Sequence, residues 1–598
     1  MAKSPLQSDV DLISVSILVD GSEIQSSYQV KSVFIEKAIN RISYAEVVLI
    51  DGDPAEETFE VSESKAFDPG KTIKIKLGYH TTEADAFEGI ITGQRIKVLS
   101  YAHKATSHLV VTCHDKAVKM TLARTSANFQ DKKDSDIISS IVQTNGLTAT
   151  VTATTYLHKA MVQYNCTDWD FILARAEANG MVVINEAGKL TVQEPAVSGT
   201  DVLAVNYGID VINFDGEIDG LTQIKSAAFQ SWDATTLALV KGTGVEPSAG
   251  THGDLTGTTL AAVGSQPEIA ATTSAPEDKD ALKALASGYL LRSRLARIRG
   301  SVKFHGMTEA LPGKLMELSG FGSHFNGSAY ISGVRHEVRE GTWTTEADFG
   351  LDRRMRTDNG QVSGPDAIGM LPSISGVHIG KVKKIDADPD GEFRIQVDVP
   401  MVEDTGNGIW ARLAHPYASS TFGFYFIPEV GDEVLLGFLH NDPRFAVILG
   451  SLYGKKNKPP FTPESTNKDK AIVTKSKMKI TFNDTDKVMV LETPGGNKVT
   501  LDDKAKSVKI EDQNSNSIEM SADGIKLDSA KDISLVAKGK VEIKPTANAE
   551  ISATGDITMK GNNINAKANI GLSAQGSATA ELKASGQVTV KGAIVMIN

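Results

Sequence analysis

From residue 525 onward the chain repeats one short rhythm of apolar and polar positions. Two apolar residues with one residue between them recur at Ile525/Leu527, Ile533/Leu535, Val541/Ile543, Ala549/Ile551 and Ile557/Met559, each pair eight residues after the last. After one seven-residue step the rhythm resumes at Ile564/Ala566, Leu572/Ala574, Ala580/Leu582 and Val588/Val590. Alternate residues of a strand share a face, so each pair is one apolar face followed by a polar corner. A unit this short buries its apolar side only by stacking on neighbours. The inward side chains are small or aliphatic, which makes the enclosed core narrow. A single-chain β-helix and a prism of three interleaved chains both satisfy the pattern. Interleaved at one strand per ~4.8 Å, the residues after 471 would build a rod on the order of 60 Å. Beyond Phe482 the sequence contains no Phe, Tyr or Trp, and no arginine.

The pattern before the repeat changes twice. Residues 372–455 read as all strand. "GKVKKIDADPDGEFRIQVDVP" predicts a hairpin turning at Asp390-Gly391, "GIWARLAH" adds a strand, and "EVGDEVLLGFLHNDPRFAVILGSLYG" supplies a pair joined at Asn441-Asp442-Pro443. Five short strands in this length predict a small barrel of the oligonucleotide/oligosaccharide-binding (OB) type. Residues 456–471 read as a linker and 472–598 as the stacked-strand array. Residues 1–371 alternate strand-like and helix-like segments, predicting a mixed α+β front of two subdomains. Thr167, Asp170 and Asn179-Gly180 bracket one helix. Ser274 and Glu277 suggest the cap of another, with Leu282, Leu285, Leu291, Leu295 and Ile298 as its apolar stripe. Residues 241–276, rich in Gly, Ser, Thr and Pro, read as an exposed insertion.

Composition narrows the function classes. A chain of 598 residues predicts several domains. The net charge of −12 argues against a dedicated binder of nucleic acid or anionic membrane. No apolar run approaches the ~20 residues of a membrane span, and the start predicts no conventional signal peptide. The two cysteines, Cys113 and Cys166, fit folding in a reducing compartment. The expected localisation is cytoplasmic during assembly, with any exit by another route.

Candidate chemistry is thin. Asp386, Asp388, Asp390 and Gly391 resemble a calcium loop, but Val397 stands where a bidentate acid is needed and Pro389 interrupts the run. "GSLYGKK" is one residue short of a phosphate loop and lacks its hydroxyl. Of His103, His108, Cys113 and His114, a strand places His108 and His114 on one face and Cys113 on the other, which scatters them. No catalytic residue, metal ligand or cofactor is expected. A nucleic-acid groove on the barrel would draw on Lys381, Lys383, Lys384, Arg394 and Arg412 for charge and on Trp410, Tyr417, Phe422, Phe424 and Tyr425 for stacking; interleaved acids favour a core-and-interface role. A glycan-binding module and a cell-wall hydrolase are the remaining alternatives.

The order of α+β front, small barrel and eight-residue repeat resembles the VgrG-type central spikes of contractile injection systems, in type VI secretion and in phage-tail-like hubs and spikes. The barrel signature carries the likeness: "P-x-V-G-x-E-V" at Pro428, Val430 and Gly431, the turn at Asp442-Pro443, and "G-x-x-Y" at Gly450 to Tyr453. "AEVVLIDGDP" and "DWDFILARAEANG" also look like the family's front domains. The resemblance implies a phage tail hub-like front, an OB-type barrel and a C-terminal intertwined trimeric β-helix or prism. Its implied partners are two further copies of the chain, a hexameric inner tube protein, baseplate proteins, and a PAAR-like tip protein carrying effectors. No nucleic acid is involved, and the target membrane is contacted only transiently. The action is mechanical and needs no catalysis. The prism core would be Ile525, Leu527, Ile533, Leu535, Val541, Ile543, Ile551, Ile557, Met559, Leu572, Leu582, Val588 and Val590. The apolar end Ile594, Val595, Met596, Ile597 and Asn598 would meet the tip partner.

Overall fold

The computed structural model describes residues 2–6, 10–101, 104–233, 236–248, 250–264, 268–273, 277–358, 362–363, 366–369, 371–400 and 408–597. These fall into two compact units, 1–452 and 453–598. The described chain is mostly β with few helices, so the expected mixed α+β front holds only in this coarser form.

A single 13-stranded sheet runs through the front of the first unit. Its two halves meet where Gly327–Arg339 pairs antiparallel with Val30–Ala38. Strict alternation of buried and half-exposed residues marks these strands, as in Val30–Ala38 and Tyr44–Ile50. One half packs Ile35, Leu49, Phe67, Ile75, Leu109 and Cys113 into a core; the other packs Val302, Phe304, Met316, Ile331 and Phe349. Two helices, Asp134–Thr144 and Asp168–Ala178, share a separate core with a three-stranded sheet. The second begins as the sequence predicts: the Thr167 hydroxyl accepts the Asp170 N–H at 3.0 Å. Gly180, just past its end, faces Gly288 of the Lys279–Leu295 helix. A Cβ on Gly288 would lie 2.7 Å from the Gly180 Cα, so only glycine permits this backbone-to-backbone approach.

Two expectations for this region fail. The Lys279–Leu295 helix is capped by Asp278, whose carboxylate accepts the Asp280 N–H at 2.7 Å; Ser274 lies outside the described residues. Ile298 belongs to the following strand. Residues 241–276 also hold more than a loop. Glu268–Thr273 pairs parallel with Ser226–Asp233, beside Ala238–Thr243, and Gly257–Ala261 forms a short helix. The sheet packs Ile224, Ala227 and Phe229 on Leu282, Ala286 and Leu290, so long-range burial overrides the loop-like composition.

The barrel forms as the spacing predicts, from His378–Lys384, Ile395–Asp398, Ile409–Leu413, Ala446–Ser451 and Glu433–Phe438. It closes through parallel pairing of Ile409–Leu413 with Ala446–Ser451. Val382, Ile395, Val397, Ala411, Val434, Leu436 and Ile448 fill it. A Cβ on Gly380 would lie 2.4 Å from a Val397 methyl group, which shows how little space is left inside.

The second unit contains a seven-stranded antiparallel meander: Asp469–Val473, Lys479–Asn483, Val488–Glu492, Lys498–Asp502, Ser507–Glu511, Ser517–Ser521 and Gly524–Asp528. The array expected over 472–598 is therefore not interleaved from its start. Up to Asp528 each strand pairs with its own chain's next strand, through turns that hold Lys477, Lys487, Gly496, Lys506 and Ser515 at positive φ. The first strand also begins inside the expected linker 456–471. Among the described residues after Asp528 no strand pairing forms within the chain, and every residue from 530 on is exposed.

Candidate assembly surfaces

The register of the meander stacks its apolar residues into two ladders on one face. One runs Ile472, Ile480, Leu491, Val499, Ile510, Ile518 and Leu527; the other runs Phe482, Met489, Leu501, Val508, Met520 and Ile525. The opposite face carries Thr481, Val490, Thr500, Lys509, Glu519 and Lys526 in register, with ion pairs such as Lys479–Glu492 at 3.3 Å. Cross-strand pairs of this kind set the sheet's register, but one apolar face remains bare. Phe482, Leu491, Leu501, Ile510 and Ile518 each keep about 40% of their surface exposed, Ile510 at 42%. No residue described in 453–597 is fully buried. A contiguous apolar face on a sheet with no core of its own requires cover.

These ladders were missed in the sequence because their spacing is not eight. Ile472, Leu491 and Ile510 are 19 residues apart, as are Ile480, Val499 and Ile518. A search at that longer period finds them.

The predicted prism residues are brought together by no core of the single chain. Ile525 and Leu527 lie on the last strand of the meander. Ile533, Leu535, Val541, Ile543, Ile551, Ile557, Met559, Leu572, Leu582, Val588 and Val590 are all exposed. Ile594, Val595, Met596 and Ile597 are exposed as well, Ile597 at 91%; Asn598 lies outside the described residues.

The barrel signature residues have local structural work. Pro428 is buried while Val430 and Tyr453 are exposed. Gly431, at φ 93°, donates its N–H to the Val382 carbonyl at 2.8 Å, locking the approach to Glu433–Phe438. Asp442 is buried in the turn and binds Arg444 at 2.7 Å, which holds its carboxyl below the usual range. Pro443 follows in the same turn, and Gly450 pairs with Leu435.

A second exposed surface is the hairpin Ala418–Ser419/Phe422–Gly423, around which Tyr417, Phe422, Phe424, Tyr425 and Phe426 are all exposed. The cations expected beside them are partly spent elsewhere. Arg394 pairs with Asp388 at 2.7 Å and with Asp390, and Lys383 lies 3.5 Å from Asp398. Asp388 also accepts the backbone N–H groups of Asp390, Glu392 and Arg394, so the calcium-like run is a turn closed by its own arginine. Of the histidine cluster, His108 meets Lys31 at 2.7 Å, His114 meets Thr92 at 2.8 Å, and Cys113 is buried in the core, where desolvation pushes its thiol up to about 12. His103 lies outside the described residues.

A family model described as the Alg8 N-terminal domain matches residues 9–340, more than half of the chain. A second, described as the type VI secretion system/phage-baseplate injector OB domain, matches residues 378–453. Over 109 residues the chain is 33% identical to the actin cross-linking toxin VgrG1 of Vibrio cholerae, covering 16% of this chain and 10% of that protein. Over 184 residues it is 25% identical to the type VI secretion system spike protein VgrG1b of Pseudomonas aeruginosa, covering 29% and 24% respectively. The matches therefore span a quarter or less of these relatives' length. Among solved structures, the 43 kDa tail protein of prophage MuSo2 from Shewanella oneidensis aligns at a TM-score of 0.43 and 11% identity, over 57% of this chain and 99% of that one. With the first model running over more than half of the chain, the chain belongs to the Alg8 N-terminal domain family, and its closed barrel matches the type VI secretion system/phage-baseplate injector OB domain.

Proposed function

We propose that the chain is the structural spike of a contractile injection machine, working as a homotrimer whose tail is the shaft that pierces a target envelope. The observation that carries this reading is the bare apolar face of residues 469–528. Three such sheets, set with their apolar faces inward, enclose a narrow axis of aliphatic residues and leave the Lys, Glu and Thr faces to water. At ~4.8 Å between strands, seven strands extend this part about 30 Å. From Asp528 the eight-residue repeat continues as strands exchanged between the three copies, with Ile533, Leu535, Val541, Ile543 and their successors on the axis. Backbone groups paired around a closed shaft leave no free edge, and stiffness follows.

In this reading the front domains dock on a hexameric inner tube and the baseplate, and Ile594 to Ile597 seat a PAAR-like tip protein with its effectors. The protein is assembled in the cytoplasm and delivered outward. The work is mechanical and uses no catalytic group. The test is a chain truncated after Lys470. The full chain is expected at three times 63.8 kDa and resistant to dissociation; the truncated chain is expected to lose that resistance. A truncated trimer as resistant as the full one would remove the tail from the account, and a monomeric full chain would remove the trimer.

A further inference from the structure

A cavity of about 260 Å³ lies in the front domain where the stretches 246–248 and 250–258 meet the end of the Lys279–Leu295 helix and the strands beyond it. One wall is apolar, with Val197, Leu295, Ile298 and Leu315. The other carries Arg294, Arg297, His252 and Tyr330. Arg294 is satisfied: Glu246 takes its Nε and a terminal nitrogen at 2.6 and 2.9 Å. Arg297 is not. It donates one terminal nitrogen to the His252 carbonyl, and its Nε has no partner among the described residues. The Tyr330 hydroxyl and His252 Nε2, on the same cavity, are also unpartnered. Tyr330 is 3% exposed, so bulk water does not reach around it.

Buried polar groups are ordinarily paired, and a desolvated guanidinium without a counter-charge is costly. Burial and the neighbouring Arg294 both lower the Arg297 pKa, the mark of a cation short of an anion. Burial also holds the His252 imidazole down to about 4, so at neutral pH it presents Nε2 without adding charge. One uncompensated positive charge therefore faces the cavity, which favours a monoanion over a phosphate dianion. The volume is below the ~300–1,000 Å³ of drug-sized sites, which sets the ligand at the size of benzoate or hexanoate.

We propose that this cavity binds a small monocarboxylate, its carboxylate accepting from Arg297 Nε and the Tyr330 hydroxyl and its apolar body lying along Val197, Leu295, Ile298 and Leu315. The site is independent of the tail and of the trimer reading. Calorimetry on the full chain, at fixed ionic strength with chloride as the balancing anion, tests it with benzoate, hexanoate and inorganic phosphate as probes. Benzoate or hexanoate is expected to bind saturably at one site per chain, about tenfold or more tighter than phosphate. Tyr330→Phe removes only the unpartnered oxygen, keeps the fold, and should weaken binding about three- to tenfold. Arg297→Met should abolish binding while raising the melting temperature, because the unpaired charge is gone. No saturable binding by either carboxylate, the result for a cavity that holds only water, overturns the proposal. So does carboxylate binding left intact by Arg297→Met, or phosphate binding as tight as the carboxylates.

Discussion

Replacing Ile510 with aspartate puts a carboxylate in the middle of an apolar ladder, opposite Val499 on one neighbouring strand and Ile518 on the other. In the single chain Ile510 keeps 42% of its surface in water. Complete burial of an isoleucine contributes roughly 1.5–3 kcal/mol. Covering the remaining part is thus worth about 1 kcal/mol per chain, or about 3 kcal/mol for three copies. The substitution forfeits that and adds three carboxylates at one height of a narrow axis, each costing several kcal/mol unpaired and repelling the other two. The expected loss exceeds about 6 kcal/mol per trimer, more than four decades in the association constant. Lys509→Thr is the control: one residue away on the opposite face, it should change stability by no more than about 0.5 kcal/mol. Light scattering gives the mass, and guanidinium titration at several protein concentrations gives the midpoint, which rises with concentration for a trimer. Ile510→Asp should be largely dissociated, with Lys509→Thr at the wild-type mass and midpoint. If Ile510→Asp keeps the trimer mass and an unchanged midpoint, the ladder does not line the axis and the packing argument is wrong. If the wild-type chain is monomeric, no second copy covers the ladders and the trimer is wrong.

Three further outcomes follow from other parts of the structure. Glu177 and Arg292 form a buried pair at 2.6 Å, and Glu177 also accepts from Asn40 and the Arg356 N–H; Glu177→Ala strands the guanidinium and should destabilise the front domain by about 3–5 kcal/mol, read as an earlier melting step. His336 is held down to about 3, by burial first and by Lys37 second. Above the unfolded value near 6.5 neither state takes the proton and nothing is lost. Below it the unfolded chain binds a proton that the fold refuses, so stability should fall by about 1.4 kcal/mol per pH unit as pH drops toward 3. Melting curves between about pH 7 and 4.5 should show this slope, reduced in His336→Gln; an equal slope in the variant would refute the assignment. Finally, Ile594→Ser with Met596→Ser should leave mass and midpoint unchanged but lower the binding of an apolar-surface dye, since both side chains are exposed and touch no core.

The barrel and the Asp168–Ala178 helix were legible because their signals are local. A turn at Asp390-Gly391, a cap at Thr167 and alternation within five residues each act over a few positions. The joining of Gly327–Arg339 to Val30–Ala38 was not, since no local pattern announces a partner about three hundred residues away. Nor was the strand Glu268–Thr273, whose Ala and Thr residues read as loop until paired with Ser226–Asp233.

The first half of the tail was misread, and the reason is arithmetic. Nineteen residues hold two five-residue strands and two turns, so the chain goes out, comes back and pairs with itself, as it does from Asp469 to Asp528. Eight residues hold one strand and one corner. Such a step never brings the chain back beside its previous strand, and its hydrogen-bond partners must come from further along or from other copies. The period changes from nineteen to eight at Ile525, and intrachain pairing stops at Asp528. On the trimer reading this is where self-paired sheets give way to exchanged strands. Lengthening each corner by two or three residues after Asp528 should therefore restore intrachain hairpins and lower the cost of separating the copies. Hydrogen exchange in 530–597 would follow it: protection tied to the trimer in the native chain, and protection that survives dissociation in the lengthened one.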